Sequence, residues 1–284
     1  VKYPIYIPSK GRAEIAQTPM FLRDADIPFR LVVEPDEYEA YMTLYGADYV
    51  LQLPKSGQGL SYSRNFCKKH ATVSGAKRHW QIDDNVKGIY RMNKGKGIKT
   101  DTASAMTLLE EFVDRYSNVG LAGLRHQAFV RFATKPFEIN QQVYSFYMIL
   151  NEMPFNFRDH LIEDTDMNLQ VITGGWCTIL FNAYYMMKTA SQTMSGGNTD
   201  SEYIGDGTWK RAKRLQLFWQ DYVKGIKYNG NKYVCDMGRT WSDFGKLGYL
   251  KKSCPFLFDD EEFGSVRCEE VVKPNEDFCF NHKI

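Results

Sequence analysis

The chain has 284 residues, 43% hydrophobic and 25% charged, with a formal net charge of +2. That length can bury a sizeable core in one large α/β domain spanning 1–284, and the small net charge excludes a large uniform field for nucleic acid. No apolar run reaches the roughly eighteen residues of a membrane span, and Val1-Lys2-Tyr3-Pro4 lacks the sections of a signal peptide, so a cytoplasmic location without a membrane partner is expected.

The six cysteines are too sparse for a disulfide framework in a chain this long and suit a reducing compartment. Cys279 and His282 have the C-x-x-H spacing of a zinc ligand pair that Cys254 and Cys268 could complete, but no C-x-x-C accompanies them, and ordinary thiols explain them equally.

In chain order, Tyr3 to Ile7, Phe29 to Val33 and Tyr49 to Leu53 read as short apolar strands, separated by helical segments at Glu14 to Ala25 and Asp36 to Tyr45. This β-α-β-α-β order calls for a parallel sheet with functional loops at the carboxyl ends of its strands. The first such loop is Pro8-Ser9-Lys10-Gly11-Arg12; Glu34 closes the second strand. A Gly-containing loop then leads into a helix over Tyr62 to Thr72, with Ser63, Phe66, Cys67 and Ala71 on one face, and into a strand, His79 to Ile82, that ends at Asp83-Asp84-Asn85. A helix follows over Ala103 to Tyr116, capped by Asp101 or Thr102. The remainder is more strand-like, with strands near Leu121, Tyr144 to Leu150 and Trp176 to Phe181. Helices start near Glu163 and run over Thr208 to Tyr222, and a hairpin turns at Asn229-Gly230.

Adjacent oxygen ligands at a strand end, as in Asp83-Asp84-Asn85, suit a hard divalent cation that completes its shell with substrate phosphates and stabilises a leaving diphosphate. Asp and Asn are also common turn and cap formers, so the triplet alone decides little. Its setting adds weight. Gly59-Leu60-Ser61-Tyr62-Ser63-Arg64-Asn65, a helix, and then Trp80-Gln81-Ile82-Asp83-Asp84-Asn85 resemble the Ala-Arg-Asn helix and DxD-like motif of GT-A glycosyltransferases. The resemblance implies an α/β, GT-A-like (Rossmann-like) mixed sheet flanked by helices, with a smaller strand-rich C-terminal part. It also implies a donor half over about residues 1–100 and an acceptor half over about 101–284.

On that resemblance Arg64 is a donor diphosphate ligand, and Pro8, Ser9, Lys10 and Arg12 form the nucleotide loop. Glu34 contacts base or ribose, Asp83 belongs to the donor site, and Asp84 and Asn85 hold Mn2+ or Mg2+. A helix-capping turn at Ser9, a surface arginine at Arg64 and a solvated glutamate at Glu34 are the plain alternatives. Ile162-Glu163-Asp164, continuing Thr165-Asp166-Met167, resembles the x-Glu-Asp motif of inverting GT-A enzymes, which implies Asp164 as catalytic base with Glu163 and Asp166 as rivals. Acidic residues also favour the first turn of any helix. Ser195-Gly196-Gly197-Asn198-Thr199 is either a loop closing over the donor or an ordinary surface turn.

Taken together, I-P-S-K-G-R, S-R-N, Q-I-D-D-N-V and E-D-T-D-M resemble the TET-associated glycosyltransferases, encoded mainly by bacteriophages. That resemblance implies transfer of a sugar from a nucleotide-sugar, UDP-sugar as the first guess, to the hydroxymethyl group of 5-hydroxymethylcytosine in DNA. A flipped base would need aromatic walls and a basic rim, for which Arg91, Lys94, Lys96, Lys99 and Arg131 are available, with Tyr90, Phe129, Phe132, Phe155 and Phe157 as ring-bearing neighbours. A saccharide, lipid or protein acceptor, nucleotidyl transfer, and a non-catalytic DNA-binding module are the competing functions.

Overall fold

In the computed structural model the described residues are 1–131, 133–159, 161–190, 193–197, 205–238 and 241, together with the backbone of four short strands further on. The N-terminal alternation builds three mutually parallel strands, β1 (Ile5–Pro8), β2 (Arg30–Val33) and β3 (Val50–Gln52), joined by α1 (Thr18–Asp24) and α2 (Tyr38–Tyr45). Helix α1 is shorter than the sequence pattern suggests. Pro19 lies in its first turn, where a missing N–H costs nothing, and this sets its start at Thr18. Helix α3 (Gly59–Val73) then leads to β4 (Arg78–Ile82), parallel to β1.

The segment after Asn85 folds as an antiparallel hairpin of β5 (Val86–Asn93) and β6 (Lys96–Lys99). Its lysines and glycines hide the strand signal, yet Lys94 and Gly95 take the positive φ values, 47° and 75°, that a tight two-residue hairpin turn requires. Helix α4 (Thr102–Val113) is capped by Asp101, which accepts from the Ser104 amide at 2.8 Å. There follow β7 (Val119–His126), the short α5 (Gln127–Val130), β8 (Phe137–Ile139), β9 (Phe146–Leu150), α6 (Glu163–Thr173) and β10 (Cys177–Lys188). Strand β10 runs seven residues past the expected Phe181, to Lys188. Helix α7 (Gly207–Phe218) precedes the hairpin of β11 (Gly225–Tyr228) and β12 (Tyr233–Asp236), which turns at the expected Asn229-Gly230. Four further strands, β13 (Lys252–Ser253), β14 (Leu257–Asp260), β15 (Gly264–Arg267) and β16 (Val271–Val272), pair as two antiparallel ribbons, so the C-terminal part is strand-rich as expected.

The main sheet has the order β3-β2-β1-β4-β9-β7-β10-β5-β6, with β8 against the first half of β10. It is mixed: β4 and β9 are antiparallel, β9 and β7 antiparallel, β7 and β10 parallel, and β10 and β5 antiparallel. The carboxyl ends of β1, β2, β4, β7 and β10 therefore share one edge with the amino end of β9.

Beneath that edge the core is closed around Trp80, Ile82, Val86, Phe146 and Met148, each fully buried. The buried Glu110 carboxylate on α4 accepts from the amides of Lys2 (2.8 Å) and Tyr3 (3.2 Å) and from Trp80 Nε1 (2.7 Å), tying the start of the chain to the sheet. At Gly123 strands β7 and β9 approach so closely that a Cβ would lie 2.2 Å from the Phe146 carbonyl oxygen.

Candidate functional site

The shared edge opens into a cavity of about 580 Å³, walled by the loop after β1, the end of β2, the Asp83-Asp84-Asn85 turn, α3, β9, the start of α6, the end of β10 and the β12 hairpin. The turn is clamped from below. The Asp84 carbonyl accepts from the amides of Gln17 (2.7 Å) and Thr18 (3.1 Å), the Thr18 hydroxyl donates to the Asp83 carbonyl, and the Asp83 amide donates to Ser145 O at 2.8 Å.

Each expected donor group lines this cavity: Pro8, Ser9, Lys10, Arg12, Glu34, Arg64, Asp83, Asp84 and Asn85. Glu34 is 6% exposed and is held by Lys10 Nζ (2.8 Å) and the Gly57 amide (3.0 Å), so it is not the solvated glutamate its place before Pro35 allows. Arg64 is 2% exposed, with Nη2 2.9 Å from Asp83 Oδ1 and its guanidinium 4.9 Å from the centre of the Tyr147 ring; it is no surface arginine. Asp83 Oδ2 meets Lys188 Nζ at 3.0 Å, and the same ammonium donates to Ser145 Oγ at 2.6 Å. Burial alone would raise the Asp83 carboxyl, but Lys188 and Arg64 outweigh it and hold it well below its ordinary pKa. Asp84 accepts from Ser9 Oγ (2.7 Å) and Arg12 Nη1 (2.8 Å). Its burial prevails over both and raises its pKa.

A divalent ion at Asp84 and Asn85 needs oxygen atoms free to bind it. Both oxygens of Asp83 and both of Asp84 are already engaged by Arg64, Lys188, Arg12 and Ser9. Asn85 Oδ1 is buried without a partner, but one neutral amide oxygen does not hold such an ion, and among the described residues no group of three His, Cys, Asp or Glu side chains converges. The residues present do not fit a resident metal. Cys254, Cys268, Cys279 and His282 lie outside the described residues.

The three acidic residues at the start of α6 separate cleanly. Asp166 does not line the cavity, contrary to its expected place among the bases. It is fully buried, with Arg158 Nε at 2.9 Å from Oδ2 and Trp219 Nε1 at 2.8 Å from Oδ1, and it anchors the loop before α6. Glu163 faces the cavity but is tied to Arg211 at 2.5 Å. Asp164 also lines the cavity, accepts from the Thr165 amide at 2.6 Å, and among the described residues makes no ion pair. Burial, and after it the neighbouring Glu163 charge, raises its pKa.

The expected acceptor residues Arg91, Lys94, Lys96 and Lys99 do not line the cavity. They are exposed on the β5–β6 hairpin, where Arg91 and Lys99 border a separate depression of about 300 Å³. Arg131 is exposed just beyond α5 and also outside the lining. Phe157 is core at 3% exposure, and Phe132, Asn198 and Thr199 lie outside the described residues. Of the expected rings Phe129 lines the cavity, and His126 and Tyr144 join it in an aromatic wall. The rings of His126 and Tyr144 stack at 6.4 Å, and Phe129 is 54% exposed. Burial and then Lys188 lower the His126 pKa, which keeps the ring neutral.

Several lining residues escape a sequence reading: Lys188, Ser145, Tyr147, Arg211, Lys232 and Tyr233. Lys188 carries a usable signal, because it ends a long apolar strand just as Asp83 follows one. Among the described residues Ser63 Oγ, Arg64 Nε and Tyr147 OH, buried beneath this wall, make no hydrogen bond.

A family model described as TET-Associated Glycosyltransferase matches residues 3–197. No curated protein matches the chain. Among solved structures, a Desulfovibrio desulfuricans protein assigned as a nucleotide-diphospho-sugar transferase aligns at 8% identity and TM-score 0.36, covering 60% of this chain and 76% of its own. A mannose-1-phosphate geranyltransferase from Thermus thermophilus aligns at 13% identity and TM-score 0.32, covering 64% of this chain and 58% of its own.

Proposed function

The chain belongs to the TET-associated glycosyltransferase family, and on that footing we propose that it moves a sugar from a nucleotide-sugar, UDP-sugar first among candidates, to the hydroxymethyl group of 5-hydroxymethylcytosine in DNA, with inversion. The supporting observation is that the β1 loop, Arg64, the Asp83-Asp84-Asn85 turn and Asp164 share one cavity, so a donor and an acceptor hydroxyl fit side by side. The nucleotide lies against Pro8 to Lys10 and Glu34, and the diphosphate against Arg12 and Arg64, whose forked guanidinium donors match phosphate oxygens.

In the transfer, the bond from the anomeric carbon to the β-phosphate oxygen breaks and its electron pair leaves with the phosphate. The acceptor oxygen bonds to the opposite face of that carbon, and its proton passes to the Asp164 carboxylate. Asp164 suits this role because among the described residues it makes no ion pair, and because burial and the Glu163 charge raise its pKa over the lowering by Lys232 and Arg211, which makes it a stronger base than an ordinary aspartate. The flipped base stacks on the wall of His126, Phe129 and Tyr144, and the β5–β6 lysines, carried along β5 away from the cavity edge, are left for more distant DNA phosphates. A divalent metal on Asp84 and Asn85 would first have to displace Arg12, and no step above passes through one.

The test is mass spectrometry of nucleosides after incubation with a mixture of nucleotide-sugars and DNA containing 5-hydroxymethylcytosine, with unmodified DNA as control. A sugar-sized mass gain on the modified base alone is expected. Nucleoside diphosphate release without that gain, in the presence of a saccharide, lipid or protein that gains the sugar, replaces the acceptor and leaves the donor assignment standing.

A further inference from the structure

We propose that the Lys188 ammonium, with the guanidinium groups of Arg12 and Arg64, takes the part of a divalent cation in neutralising the leaving diphosphate, so that transfer runs without metal. This rests on the reading of the cavity as a nucleotide-sugar site.

Cleavage of the glycosidic bond leaves the β-phosphate with one more negative charge, and in a water-poor cavity that charge needs fixed positive groups already in place. Asp83 and Asp84 bring two negative charges to the turn; Arg12, Arg64 and Lys188 bring three positive ones, each within 3.0 Å of a carboxylate oxygen. The cluster therefore carries net positive charge before any metal enters.

Lys188 is placed for this work. Its side chain is 9% exposed, and two of its three N–H donors are taken by Asp83 Oδ2 and Ser145 Oγ, which leaves one for a phosphate oxygen. Those two contacts fix the ammonium and keep its last donor open. The strand supplies further rigidity: Lys188 pairs with Val86 in β5, directly after the acidic turn, and the next residue, Thr189, donates its amide to Asn85 O at 3.0 Å. The carboxylates act as positioning groups for the cations rather than as metal ligands.

The experiment compares wild type, Lys188→Gln and Lys188→Arg in EDTA and in manganese. It reads nucleoside diphosphate release, kcat and KM for the nucleotide-sugar, and UDP affinity by calorimetry, with circular dichroism and Tm to establish that each variant is folded. Wild type is expected to turn over in EDTA within about twofold of its manganese rate. Lys188→Gln is expected to lose about 100-fold in kcat, the scale of removing one oxyanion donor, with KM for the nucleotide-sugar changed by less than about fivefold and UDP affinity weakened more, because free UDP carries the charge that Lys188 neutralises. Lys188→Arg should recover part of the loss, since a cation is restored. Wild-type turnover abolished by EDTA and restored by manganese overturns the inference while leaving the transferase intact, as does a folded Lys188→Gln enzyme at the wild-type rate. Absence of UDP binding with and without metal overturns the inference together with the function on which it rests.

Discussion

Three carboxylates within four residues look interchangeable in a sequence, and their partners separate them. Arg211 neutralises Glu163, Arg158 and Trp219 occupy Asp166, and Asp164 faces the cavity and makes no ion pair among the described residues. Asp164→Asn should therefore lower kcat by about 10²- to 10⁴-fold while nucleotide-sugar affinity stays near wild type, as measured by steady-state kinetics and calorimetry. Asp166→Asn should instead lower Tm, because it leaves Arg158 unpaired beside a buried amide. With Asp164 as the proposed base, its raised pKa sets the expected acid limb of the rate profile. A base must be deprotonated, so kcat/KM should fall, as pH decreases, through a midpoint above the ordinary aspartate value of 3.8, and this limb should vanish in Asp164→Asn. The positions of Asp83, Asp84 and Arg64 were legible from order and spacing. Their mutual pairing was not, since Lys188 arrives from more than a hundred residues away and no local pattern encodes that meeting.

Loops and hairpins carry the next level of consequence. The β1 loop is braced by the Gly-rich segment: Arg12 Nε donates to Ser195 O and Nη2 to Gly196 O, each at 2.8 Å, and the Gly197 amide donates to Lys10 O at 2.9 Å. Gly196 has φ +78°, and a Cβ there would sit 2.7 Å from Gly11 O and 2.8 Å from Lys10 O. Gly196→Val is expected to push the two loops apart and weaken UDP-sugar binding about tenfold in calorimetry, with little change in circular dichroism. On the β5–β6 hairpin, replacing Lys94 and Lys96 with Gln should reduce the slope of log affinity for DNA against log salt by about 1 for each phosphate no longer neutralised, with donor affinity unchanged. The hairpin itself is a lesson in masked signals, because exposed lysines and glycines replaced the alternation by which strands are recognised.

At the scale of the molecule, the parallel half of the sheet was readable in order as well as in elements because β-α-β alternation leaves regular traces, while in the other half the strands near Leu121, Tyr144 to Leu150 and Trp176 to Phe181 were readable but their order and pairing were not. Strands β7, β9 and β10 are buried along most of their length and offer only continuous apolar runs. Within that interior His79 is held neutral: Nδ1 is bonded to Asn151 Oδ1 and Nε2 accepts from Gln81 Nε2 at 2.8 Å, so a second ring proton would oppose an amide donor. Burial lowers its pKa from 6.5 to about 3. The folded state thus binds fewer protons than the unfolded chain. The stability this contributes is complete above pH 6.5 and drains away as pH falls toward about 3, which urea titrations at stepped pH should show as a decline that His79→Gln lessens.

The cavity's wall comes from two stretches of chain, one inside the family match and one beyond it. Residues 3–197 match the family and supply the loop, the turn, Arg12, Arg64, Lys188 and Asp164, whereas Thr208, Arg211, Lys232, Tyr233 and Val234 line the cavity from beyond that boundary. The latter dock through Leu215 and Val223 against Leu161 and through the Arg211–Glu163 pair. A fixed engine with an exchangeable faceplate follows from this division. Exchanging the segment after 205 while keeping the arginine that latches it onto Glu163 would therefore alter one side of the cavity and leave the loop, the turn and Lys188 in place.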